Sequence, residues 1–335
     1  MTLATGIGSL PGADPTAYAE AVKVVLGELP DLPHLPELPG RGAIADMIGR
    51  TLGLVADLDA DLQPAGWRLT GTSGSPAIDQ RRARSLLGQD LDTLEELAQE
   101  ALPEGGALKA QVTGPWTLAA TVERPRGDKI LADHGARREL AQALAEGVRL
   151  HVRDLRRRLP TVARLVVQVD EPALAAVLAA AIPTASGHGT HRSIEPPEAS
   201  AALEWVLEAI AEEGAEPWVH ACAPGTPLAL LRGAGAQGLA VDLAQLSAAD
   251  HDALAEALEA GSTVALGAVP TTGPMPGDKQ VTESVLRWLD LVGLDPEAVG
   301  ERLVVSPACG LAGATWAQAR TAMTLARTAA ASLAG

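Results

Sequence analysis

Followed for its alternation of apolar and polar positions, the chain repeats one unit: a short run of β-branched or apolar residues, then a longer segment with apolar residues every three or four positions. The short runs are ATGIGSLP (4–11), WRLTGT (67–72), LKAQVTG (108–114), RLVVQVDEP (164–172), PWVHAC (217–222), GLAVDL (238–243), TVALGAVP (263–270) and RLVVSPACG (302–310). They predict eight strands, of which 67–72 also reads as part of a hairpin. Between them, ASAALEWVLEAIAEEG sets Leu203, Val206, Leu207 and Ile210 on one helical face. SLLGQDLDTLEELAQEAL and RRELAQALAEGVRLHVRDLRRRL do the same at greater length. Strands alternating with helices predict an α/β protein with a parallel sheet and crossover helices. Eight such units fit a (β/α)8 TIM barrel in a single domain over 1–335, although a doubly wound open sheet produces much of the same pattern.

Two proline- and glycine-rich stretches interrupt this order, LPDLPHLPELPGRG (29–42) and IPTASGHGTHRSIEPPE (182–198). Their length marks both as lids or substrate loops, and the first is expected to form part of the substrate cover. No internal repeat or linker divides the chain.

Composition narrows the function. A chain of 335 residues with 47% hydrophobic content buries a large core. The net charge is −16, and the one basic cluster, RDLRRR (153–158), ends a predicted helix and reads as a solvated face. With no Phe and one Tyr to stack on bases, nucleic acid is excluded as a partner. No window of about 18 apolar residues or basic leader is present, so no membrane partner is expected and the protein is placed in the cytoplasm. Its two cysteines, Cys222 and Cys309, are too few for a disulfide framework and should persist as thiols or metal-bound thiolates.

In a barrel the site forms at the C-terminal ends of the strands. Polar residues gather there: Ser9, Asp170 with Glu171, His220 with Cys222, Asp242 and Cys309. His220 and Cys222 are two apart, so on an extended strand both point to one face; with Cys309 they make a His/Cys/Cys set suited to Zn²⁺. The alternative is two small buried hydrophobes and a hydrogen-bonded rim histidine. Asp170 and Glu171 either serve the mouth of the barrel or cap the next helix at Pro172. Ser9 reads as a turn residue, and His188 and His191 as solvated side chains of an exposed loop.

Taken in order, IGSLPG, VTGPWT (112–117), VQVDEPAL (167–174), VHAC (219–222) and VSPACGL (305–311) resemble the catalytic barrel of cobalamin-independent methionine synthase from about residue 4 to 330. The wider superfamily includes uroporphyrinogen decarboxylase, which needs no metal, and zinc methyltransferases acting on coenzyme M. The resemblance implies zinc held by His220, Cys222 and Cys309, and methyl transfer to the sulfur of homocysteine. It implies Asp170 at the homocysteine ammonium, Ser9 near its carboxylate, and Glu37, followed by Asp46 and Met47, as a second amino-acid-binding carboxylate. Asp242 stands where the family has a Glu ligand and is expected to complete the zinc shell. The family's second, N-terminal barrel is missing from the sequence, so the methyl donor is either 5-methyltetrahydrofolate or a methylcobalamin-bearing protein. Two alternatives remain: another small thiol, such as coenzyme M, or a non-catalytic barrel with a structural zinc.

Overall fold

The computed structural model describes residues 2–14, 16–70 and 77–333. Its strands are β1 (Leu3–Ala4), β2 (Ala60–Gln63), β3 (Gly66–Leu69), β4 (Ala107–Thr113), β5 (Arg164–Asp170), β6 (Glu216–His220), β7 (Gly238–Asp242), β8 (Thr263–Val269) and β9 (Leu303–Pro307). The helices are α1 (Ala17–Glu28), α2 (Met47–Leu54), α3 (Ile78–Ala101), α4 (Pro115–Thr121), α5 (His134–Arg158), α6 (Leu174–Leu178), α7 (Pro196–Glu212), α8 (Leu228–Gly233), α9 (Ala248–Glu259), α10 (Asp278–Val292), α11 (Pro296–Val299) and α12 (Trp316–Leu333).

Seven strands form one curled parallel sheet in the order β1-β9-β8-β7-β6-β5-β4. Val-rich β5 and β9 are buried at nearly every position, as expected of strands covered on both faces. Helices start where the sequence offers acceptors for free backbone N–H groups: Asp46 accepts from Gly49 N (2.7 Å), Asp133 from Ala136 N (2.9 Å), and Ser247 and Asp250 form a reciprocal box on α9. One apolar cluster fills the space between sheet and helices. A second, including Ile7, Val166, Trp218, Ala240 and Val304, fills the base of the curl.

Three expectations need correction. The run at 67–72 is no stave of the main sheet: residues 66–69 pair antiparallel with β2 in a separate hairpin, and Gly71 and Thr72 lie outside the described residues. The parallel sheet therefore has seven strands rather than eight. The stretch at 29–42 is no free loop either, although Glu37 and Pro39 within it do line the cavity of the candidate site. Leu35 N–H donates to Lys109 O (2.7 Å) and Lys109 N–H to Pro33 O (2.8 Å). On the other side Glu37 N–H donates to Gly8 O (3.1 Å) and Leu10 N–H to Glu37 O (2.8 Å). This segment thus bonds to β4 at one edge of the sheet and to the chain leaving β1 at the other, with His34, Leu35 and Leu38 buried. Proline suits such a short, partly paired stretch because it supplies no N–H.

The basic run at 153–158 is tied down by acids of neighbouring helices: Arg153 pairs with Glu213 (2.6 Å) and Arg158 with Asp92 (2.7 Å) and Glu95 (2.8 Å). Among the described residues no helix is long and apolar enough to cross a membrane.

Candidate active site

β6 ends at His220 and the chain turns, leaving Cys222 two residues beyond it; Cys309 lies two residues beyond the end of β9. Two strands, β7 and β8, separate β6 from β9. In a flat sheet three spacings of about 4.8 Å would hold their ends about 14 Å apart. Here Cys222 Sγ and Cys309 Sγ are 3.1 Å apart, and Cys309 Sγ is 3.7 Å from His220 Nε2. The curl of the sheet gathers the set. Among the described residues these three form the one group of metal-capable side chains, with ligand atoms all within 4.8 Å of one another.

The donor set fits a soft divalent ion such as zinc. His220 Nδ1–H donates to Ala240 O (3.0 Å), which orients the ring so that Nε2 faces the sulfurs. The Cys222 thiol donates to Cys309, which lowers the Cys309 pKa and raises that of Cys222. Burial opposes charge on His220, but the hydrogen bond to Cys309 and the nearby Asp170 outweigh it and raise its pKa. One thiolate is therefore favoured even before a cation arrives. Both cysteines remain partly exposed.

Across from the sulfurs, Asp170 pairs in register with His220 on the adjacent strand and is buried. Its Oδ1 accepts from Gln168 Nε2 (2.7 Å); Gln168 Oε1 accepts from Lys109 Nζ (3.0 Å), and Lys109 also donates to Ile7 O (2.8 Å). Burial raises the Asp170 carboxyl and lowers the Lys109 ammonium, while their mutual attraction works against both shifts. Glu37, buried and likewise raised by desolvation, lies 3.5 Å from Arg50, which also binds Asp90 (2.5 Å). Asp90 in turn holds Arg41 (2.7 Å). Ser9 sits against Gly310, where a Cβ would overlap the Ser9 hydroxyl. Ser9, Glu37, Asp46, Met47, Asp170, His220 and Cys309 all line one cavity of about 350 Å³. A larger cavity of about 720 Å³ lies between the end of α2 and helices α3 and α5, but holds none of the cluster.

Other predicted residues fall elsewhere. Glu171 faces away from the cavity and caps α4, which follows β4: its carboxylate accepts from Trp116 N (2.8 Å), Thr117 N (2.8 Å) and Thr117 Oγ1 (2.7 Å). Burial still pushes it up to about 7. A Cβ at Gly114 would overlap this carboxyl, so the TGPWT and DEP stretches are halves of one device. Asp242 ends β7 and accepts from Ala244 N (2.9 Å); it stands outside the three-residue cluster but close enough to interact electrostatically with Cys309 and His220. His188 is exposed and bonds Ser186 O (2.9 Å). His191 is not solvated, because it is buried 3.3 Å from Asp128. Lys109 lies outside the quoted motifs and Gln168 inside VQVDEPAL, but neither is assigned a role from the sequence. Their signal is a polar residue at alternate positions in strands too apolar to face water, Lys109-Gln111-Thr113 and Gln168-Asp170.

A parallel α/β sheet thus carries an imidazole and two thiols that could hold a soft divalent ion, beside buried carboxylates. Residues 90–332 match the family model of the cobalamin-independent synthase catalytic domain, and the chain belongs to that family. Membership supports an S-methyltransferase of the methionine-synthase type. Among solved structures, the chain is similar to a B12-independent methionine synthase from Shewanella sp. W3-18-1 in complex with selenomethionine, with a TM-score of 0.65 and 15% identity over 99% of this chain and 98% of that one. That likeness shows the fold. Methylaspartate ammonia lyase from Clostridium tetanomorphum aligns with a TM-score of 0.45 and 12% identity over 99% of this chain and 59% of that one. No curated protein matches.

Proposed function

We propose that the chain is a zinc-dependent methyltransferase that converts homocysteine to methionine. The observation that carries this reading is the placement of His220 and Cys309 on the same 350 Å³ cavity as Asp170, Glu37 and Ser9, in a chain of this family. His220, Cys222 and Cys309 would hold the metal, and three protein ligands leave a position for a substrate, as catalytic zinc sites do. Bound there, zinc lowers the pKa of an incoming thiol so that the nucleophilic thiolate exists at neutral pH.

The chain's own residues supply position. Asp170 receives the substrate ammonium, Ser9 lies near its carboxylate, and Glu37 adds a second acidic contact. Burial of the cavity floor keeps these contacts strong by excluding water. The sulfur–carbon bond forms as the bond from methyl to donor nitrogen breaks; the thiol gives up its proton to solvent and the departing nitrogen takes one up, so no net proton is released. A cobalamin-independent family favours a 5-methyltetrahydrofolate-type donor and does not support a methylcobalamin-bearing protein. We further take the segment 33–37 as the eighth stave of a closed barrel, residues 1–335 as one catalytic unit, and the reducing cytoplasm, where both thiols persist, as its location. The retained acidic pair, Asp170 and Glu37, disfavours coenzyme M, whose sulfonate has no ammonium to hold.

The test is zinc content of the purified protein beside Cys309→Ser, with X-ray absorption at the zinc edge before and after adding homocysteine. One zinc per chain, lost in the variant, and a new sulfur neighbour on adding homocysteine are expected. A zinc that keeps the same shell in the presence of thiol would leave a structural site and overturn the reading.

A further inference from the structure

Beneath the cavity floor lies a cation the proposed chemistry does not use. Lys109 is completely buried on β4, its side chain directed into the interior of the sheet. Burying an ammonium is costly unless it is paired, so its surroundings show what it does. Its Nζ donates to Ile7 O (2.8 Å) and to Gln168 Oε1 (3.0 Å). The other end of the Gln168 amide donates to Ile7 O (3.1 Å) and to Asp170 Oδ1 (2.7 Å).

The direction of this chain is determined by donor count. An ammonium has three donors and no acceptor, so only the amide oxygen of Gln168 can face it. The amide NH2 then has to face Asp170. Reversed, the amide would set donor against donor at Lys109 and its oxygen against the Asp170 carboxylate. One oxygen of Asp170 is thereby held by a fixed N–H, and the other is left to serve the cavity that Asp170 lines.

We infer that Lys109, acting through Gln168, is a positioning residue that locks Asp170 in the pose that reads an ammonium, and so makes the site select amino-acid thiols over thiols without the amino group. This rests on the reading of Asp170 as the ammonium holder. Simple Coulomb reasoning predicts the reverse: removing a buried cation near the substrate ammonium should tighten binding. The two accounts differ in sign.

The experiment measures calorimetric binding of homocysteine and of 4-mercaptobutanoate, which keeps thiol and carboxylate but lacks the amine, to the zinc-loaded protein and its Lys109→Met variant. The native protein is expected to prefer homocysteine by roughly tenfold or more, the value of a charge-assisted hydrogen bond. Lys109→Met should lose that preference by weakening homocysteine while leaving 4-mercaptobutanoate within about twofold. In an Asp170→Asn background the same substitution should cost nothing further, because its effect passes through Asp170. Gln168→Met removes the link while leaving the buried lysine its Ile7 carbonyl, and it must reproduce the loss; if Lys109→Met fails to fold, the Gln168→Met result decides alone. Tighter homocysteine binding, an unchanged preference, or equal weakening of both thiols overturns the inference. If the native protein shows no preference for homocysteine, the amino-acid reading falls with it; a native preference that survives both variants sinks the positioning role alone.

Discussion

The two sides of the cavity hold their polar groups differently. On the β6/β9 side, His220, Cys222 and Cys309 lie on or just past strand ends, two of them partly exposed, and the sulfurs have chiefly each other and His220 as partners. On the β1/β4/β5 side, Asp170, Gln168, Lys109 and Glu37 are buried and linked by hydrogen bonds or ion pairs to groups behind them. The first arrangement suits an ion whose coordination must change during a reaction. The second suits recognition, where a carboxylate must keep one pose. The contrast teaches that metal affinity and substrate selectivity should respond to different substitutions.

The largest expected effect tests the metal side alone. Cys222→Ser removes one of the three proposed ligands and should lower zinc affinity by roughly a thousandfold, measured by competition with a chromophoric chelator, while the urea midpoint of the metal-free protein stays near that of the native chain. Next comes the frame of the recognition side. Gly114→Ala drives a methyl into the Glu171 carboxyl and should cost about 3 kcal/mol, read by urea denaturation; a neutral result would mean that α4 can shift freely and the cap does not matter. Asp170→Asn should weaken homocysteine by roughly 30-fold, about 2 kcal/mol, in calorimetry and leave zinc content at the native level. Loss of zinc in that variant would erase the division between the two sides.

A fourth prediction concerns neither side and serves as a control on stability. His151, buried on α5 at the larger cavity, is held down to about 4 from 6.5, chiefly by burial and then by the Arg50 charge. Because the folded pKa is depressed, its contribution is complete above pH 6.5 and is lost as pH falls toward 4. Between pH 7 and pH 5 it should cost the native fold about 2 kcal/mol by linkage. His151→Phe should flatten that part of the pH profile of unfolding without altering thiol selectivity. The smallest effect is expected at Asp242, whose carboxylate is already engaged by Ala244 N–H. Asp242→Ala should keep its zinc with affinity lowered by no more than about tenfold. Loss of the metal there would instead make Asp242 a fourth ligand and close the shell.

Much of this site is legible one strand at a time. The runs ending in Asp170, His220 and Asp242 are recognisable as strands because β-branched residues bounded by turns leave few other readings, and their polar ends mark a rim. The second predicted strand misleads for the same reason. WRLTGT has the look of a strand, whereas the proline-rich 33–37 stretch that bonds to β4 and to the chain after β1 does not. Its pairing depends on partners about seventy residues away in one direction and near the N-terminus in the other. Glu171 escapes a local reading because the helix it caps belongs to another unit of the chain.

Sequence alone determined the parallel α/β alternation, the residue types able to bind a soft cation, and the family motifs that order them. Those properties follow from local periodicity and side-chain chemistry. Only the tertiary structure decided that Cys222 and Cys309, separated by two intervening strands, come within 3.1 Å, and that a buried lysine lies behind Asp170. Both depend on the curl of the sheet, which is set by how all the strands twist and pack together and is written in no single segment.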